Sequence, residues 1–90
     1  MTERDPILVE REKTHGDFRK LAQTAQGLKV FLRLRDTGTS MNAAQQEALD
    51  LIATKLARIV CGDADFLDHW LDLSGYSRLI CDMLEGACKE

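Results

Sequence analysis

The sequence predicts an all-α fold: an antiparallel helical bundle of three main helices, preceded by a short N-terminal helix or arm. Three observations carry this. Apolar residues recur at steps of three and four over three long stretches, the period of a helix that buries one face. No stretch alternates apolar and polar residues as a half-buried strand does. The single proline is Pro6, so nothing later in the chain interrupts a helix. A chain of 90 residues is read as one domain, 1–90.

Residues 1–13 leave two readings open. Pro6 suits a first helical turn and Ile7, Leu8 and Val9 are apolar, so this segment is either a short helix or an arm laid on a partner. The first main helix is expected over 17–35, with side-chain oxygens of Thr14 and Asp17 available to the free amides of its first turn. Phe18, Leu21, Ala22, Ala25, Leu28, Phe31 and Leu32 form its apolar face. Asp36 to Ser40 reads as a loop. The second helix is expected over 42–61, with a stripe of Leu49, Ile52, Ala53, Leu56, Ile59 and Val60, and Gly62 ends it. Asp63 is placed to cap a third helix over 64–86, whose inner face is Phe66, Trp70, Leu73, Ile80 and Leu84. Trp70 on that face is expected in the core, its indole N–H needing an acceptor. Gly75, which costs about 1 kcal/mol against alanine in a helix, suggests another helix passing close.

Composition narrows the function. A formal charge of −3 argues against a protein that coats nucleic acid, since phosphate neutralisation needs a positive surface. The basic run Lys29, Arg33 and Arg35 does not overturn this. Three cysteines, Cys61, Cys81 and Cys88, are an odd number without a Cys-x-x-Cys pair, which points to the reducing cytoplasm. No apolar run approaches the roughly 18 residues of a membrane span, so a soluble chain with no membrane partner is expected. A chain this short buries only about 60–65 per cent of its unfolded surface, and a single helical layer would not bury enough. A homodimer or higher homo-oligomer is therefore expected, and the flank shared by Asp65, His69, Asp72, Tyr76 and Met83 is one that a second subunit could cover.

Two pairs of polar residues carry the candidate chemistry. Glu47 and Asp50 lie three apart on the second helix, so they project as neighbours, and His69 and Asp72 do the same on the third, with Asp68 beside them. Acids on facing helices can hold a divalent metal. Lys55 and Arg58 repeat the spacing and offer charge to a phosphate. His15 and Gly16 precede a helix start whose amides attract phosphate, although Asp17 already answers those amides and favours a simple cap. Tyr76, one turn from Asp72, could stack on a base or sit in an interface. Against all of these stands the plainer reading of solvated surface acids and weak surface pairs.

Thr14-His15-Gly16-Asp17-Phe18, the Gln-x-Glu-Ala-Leu-Asp and Lys-x-Ala-Arg-Ile runs, Gly62-Asp63 and Asp-His-Trp-x-Asp-x-x-Gly-Tyr resemble a family of small bacteriophage and prophage proteins of unassigned function. The likeness runs from about Glu10 to about Leu84. That family is similar in turn to the all-α nucleoside triphosphate pyrophosphohydrolases of the MazG type, which place Glu-x-x-Glu on one helix and Glu-x-x-Asp on the next to hold magnesium. The resemblance implies Mg2+ or Mn2+ held by Glu47, Asp50, His69 and Asp72. Lys55 and Arg58 would offset charge on the phosphates, and His15 or His69 would move a proton. The chain departs from the pattern by shortening two of the four acids to aspartate and replacing a third with an imidazole, whereas magnesium prefers oxygen ligands. The function so implied is a phage accessory protein in the cytoplasm of a bacterial host, with a nucleotide and metal site. The alternative is a non-enzymatic phage protein that binds and inhibits a host defence protein, or one that captures a nucleotide signal.

Overall fold

A computed structural model describes residue 7, residues 16–36 and residues 40–89, with side chains as far as residue 86. Ile7 is helical; the remainder of the expected N-terminal helix or arm, together with Thr14 and His15, lies outside the described residues. Three helices follow and no strand occurs among the described residues: α1 over Phe18–Leu34, α2 over Ala43–Cys61 and α3 over Leu67–Lys89. The chain is all-α, as its periodicity predicts.

Local chemistry sets each boundary. Gly16 adopts a left-handed φ of 84° and turns the chain into α1, where the Asp17 carboxylate accepts the Arg19 amide at 2.9 Å. A Cβ on Gly16 would collide with the backbone carbonyl of Cys61, so this turn rests directly on the end of α2. Helix α2 opens with a reciprocal cap: Asn42 accepts from the Gln45 amide at 2.8 Å and the Gln45 side chain accepts from the Asn42 amide at 3.0 Å. It closes at Gly62, whose N–H bonds the Arg58 carbonyl.

The third helix is displaced from the expected span of 64–86 to Leu67–Lys89. Asp63 does cap, but it caps a turn: its carboxylate accepts the Asp65 amide at 2.9 Å and its carbonyl the Phe66 amide at 3.2 Å. The helix then starts after that turn, and Gly86 does not end it.

Among the described residues, α2 packs on both α1 and α3, while α1 and α3 do not touch. The three helices of the described residues therefore form a single layer with α2 in the middle. Ala57 joins Leu21 and Ala25 of α1 in a cluster of buried apolar side chains. Ala48, Lys55 and Ile59 are buried at positions centred about 180° round α2 from Ala57, taking 100° per residue, on the side of α3.

Several expectations about the inner faces are corrected. Of the expected face of α1, only Leu21 and Ala25 are buried; Phe18, Phe31 and Leu32 are exposed. Trp70 is 51% exposed, not core, and its indole N–H donates to the Ala64 carbonyl at 2.7 Å, across the preceding turn. Leu84 is exposed as well, near the C-terminal end of α3. Among the described residues, no atom lies within 4 Å of a Cβ built on Gly75, so neither α1 nor α2 passes close to it.

Candidate functional site

The expected site residues fall into three places. Lys55 and Arg58 from α2 meet His69 and Asp72 from α3. Lys55 is buried although charged, and its ammonium donates to the Asp72 carboxylate at 2.7 Å. This short charge-assisted bond holds the Asp72 carboxyl below its ordinary range. Burial opposes the shift, and the charges of Lys55, His69 and Arg58 add to it. His69 is fully enclosed at 0% exposure, with its ring set edge-on to Phe66 at 4.8 Å between centroids. Nε of Arg58 is buried and has no hydrogen-bond partner among the described residues.

Glu47 lies elsewhere. It is exposed and lines a groove of about 170 Å³ between α2 and α3 together with Tyr76, Leu51, Leu79 and Met83. Asp50, one turn away, faces α1: its carboxylate stands 3.7 Å from the Arg33 guanidinium and 3.4 Å from the Gln46 side-chain amide. Asp50 lines a cleft of about 260 Å³ whose α1 side carries Lys29, Arg33 and Arg35. Three-residue spacing makes Glu47 and Asp50 neighbours on an isolated helix, yet packing on both sides of α2 sends them to different grooves. Asp68 is exposed, and His15 lies outside the described residues.

This arrangement does not fit the magnesium site that the resemblance implies. Asp72 is engaged by an ammonium with a guanidinium nearby, and those two cations oppose a third. Among the described residues, no group of three or more His, Cys, Asp and Glu side chains is placed to hold a metal ion. The polar cluster between α2 and α3 is cation-rich, and its clear chemical role is to pin the rotation of α3 against α2.

The basic cleft between α1 and α2 was not among the expected sites. Its signal was present in the sequence as the basic run Lys29, Arg33 and Arg35, of which Lys29 and Arg33 lie four apart on one flank of α1. Among the described residues, no helix is long and apolar enough to cross a membrane. Compared with protein-family models, with curated proteins and with solved structures, the chain shows no match.

Proposed function

We propose that this chain is a protein-binding helical module that works through its apolar surface rather than through metal-dependent chemistry. One observation carries the reading: the apolar stripe of the central helix is turned out of the layer. Leu49, Leu56 and Val60 are exposed on the helix that the fold places in the middle. Contiguous apolar exposure of this kind marks an interaction surface in a small protein. The carboxylates, by contrast, are occupied by neighbouring cations or scattered over separate grooves. In the setting the resemblance implies, a phage accessory protein in a bacterial cell, such a surface suits binding of a host or phage protein.

The rival is a MazG-like nucleotide enzyme that uses Mg2+ or Mn2+ with Glu47, Asp50, His69 and Asp72. A calorimetric and thermal-shift titration with magnesium, manganese and nucleoside triphosphates separates the two. The protein-binding reading expects no metal-dependent stabilisation. Stabilisation in the wild type that is lost in both Asp50→Ala and Asp72→Ala would contradict it.

A second reading has one observation in its favour. The cleft lined by Lys29, Arg33 and Arg35 sets three cations against two acids, Asp36 and Asp50, beside the apolar side chains of Leu32, Met41 and Leu49. At about 260 Å³ it is just below the range of small-molecule sites, about 300–1,000 Å³. It is the place where capture of an anionic nucleotide without turnover would occur, and metal-independent stabilisation by nucleotide that Arg33→Ala abolishes would support it.

A further inference from the structure

We infer that copies of this chain join edge to edge, the basic outer face of α1 on one copy docking antiparallel on the acidic outer face of α3 on the next. This goes beyond the reading of α2 and does not use its stripe. Charge complementarity within the chain names the occupant. Residues 18–35, which are α1 and its C-cap, carry five cations and no acid, whereas residues 63–86, which are the turn before α3 and most of α3, carry six acids against one arginine. The formal charge of −3 hides this division. Helix α2 lies between α1 and α3, which do not touch, so the two oppositely charged helices are the two edges of the layer. At 8–10 Å per helix contact they stand about 16–20 Å apart. That is roughly two screening lengths at physiological salt, so the opposite charges do little to neutralise one another inside the chain.

Both edges combine charge with exposed apolar side chains. Val30 and Leu34 lie about 160° round α1 from the midpoint of its buried Leu21 and Ala25, and Leu67 and Leu71 lie about 160° round α3 from its buried His69, taking 100° per residue. All four are more than half exposed. Arg19 and Lys20 share the outer face of α1, and Asp82 and Glu85 share that of α3; all four are exposed. Among the described residues, Arg19, Lys20 and Glu85 enter no ion pair, and Asp82 pairs with Arg78 of its own helix at 3.0 Å.

The spacing along the two helices matches in the antiparallel sense. On α1 the Val30 and Leu34 pair is centred 12 residues from Lys20, about 18 Å; on α3 the Leu67 and Leu71 pair is centred 13 residues from Asp82, about 20 Å. Apolar pair then meets apolar pair while Arg19 and Lys20 meet Asp82 and Glu85. Exposed ion pairs add little affinity and mainly set partner and register, so the apolar pairs hold the contact and the charges direct it. Two different faces meet, so the contact is heterologous: each copy keeps a free edge that takes another, and the assembly extends or closes into a ring. Association therefore rises with protein concentration and weakens as salt screens the edges.

The test is the light-scattering mass of the full chain and its variants over a range of concentrations at low and high salt, with helix content followed by circular dichroism. The wild type is expected above 10.1 kDa at low salt, rising with concentration, and to return towards that mass in about 1 M salt, where the screening length is about 3 Å. One variant carries Arg19→Glu with Lys20→Glu, the other Asp82→Lys with Glu85→Lys. Each reversal places the sign of charge that its end of the helix favours, so both variants are expected to keep their helix content. Each alone is expected to be monomeric, and an equimolar mixture to associate again, because the acidic α1 of one then faces the basic α3 of the other. Leu56→Lys, on the stripe of α2, is expected to leave the association intact. A wild type at 10.1 kDa in every condition overturns the inference. So does association that both reversals leave unchanged, a mixture of the two variants that stays monomeric, or association that Leu56→Lys abolishes, which would assign the contact to α2.

Discussion

His69 and Trp70 are neighbours in the chain with opposite fates. Hydropathy favours the tryptophan for the core, yet among the described residues the imidazole is the largest fully buried side chain and the indole is half in solvent. The rotation of α3 that brings Asp72 to Lys55 also turns His69, Leu73, Tyr76 and Ile80 toward α2, and it leaves Trp70 to cover the Asp63–Phe66 turn. We therefore expect His69→Ala to cost about 2–4 kcal/mol, as truncation of a buried side chain does, and Trp70→Ala to cost clearly less. Urea denaturation of the two variants checks this, and equal costs would place α3 in the wrong rotation. The Lys55–Asp72 pair has its own signature. Because the Asp72 carboxyl is held below its ordinary range, its contribution to stability is complete above the unfolded value, about pH 3.9, and is lost as pH falls through the lower folded value. The stability difference between wild type and Asp72→Asn is thus expected to be constant from pH 7 to pH 5 and to shrink below about pH 4. This residue-level geometry was only partly legible. The i, i+3 spacings of Lys55 with Arg58 and of His69 with Asp72 did mark four residues that meet, but as a cation-rich clamp, because spacing along one helix does not say which residues a second helix will oppose.

At the scale of elements, the caps were legible and the faces were not. Asp17 and Gly62 end their helices as read from the sequence, the Asn42–Gln45 cap was not read from it, and the bounds of α1 and α2 fall within one residue of expectation. Helix α3 starts three residues late, because Asp63 has both a side-chain oxygen and a carbonyl and spends them on a turn. Faces depend on neighbours, and α2 has two, so its apolar stripe splits between contacts on either side and an outward ridge. The contact of Gly16 with Cys61 ties the start of α1 to the end of α2 and fixes their antiparallel register. Gly16→Ala must both leave the left-handed region and push back a carbonyl. We expect it to destabilise the fold by about 1–3 kcal/mol, read as a fall in Tm of at least about 4 °C for a domain of this size.

On the scale of the whole molecule, α1 and α3 pack on opposite sides of α2 and do not touch each other, so among the described residues no second layer of helices covers the first. The sequence showed that so short a chain would bury too little by itself; it could not show that the central helix would be the one left open, since that follows from α1 and α3 packing on opposite sides of α2. The central claim, that this chain binds protein through the exposed apolar stripe of α2 and not through metal-dependent chemistry, is tested most directly by calorimetric titration of the wild type with magnesium and nucleoside triphosphates. The account predicts no metal-dependent heat and no metal-dependent stabilisation. Metal-dependent stabilisation of the wild type that is lost in both Asp50→Ala and Asp72→Ala would contradict it.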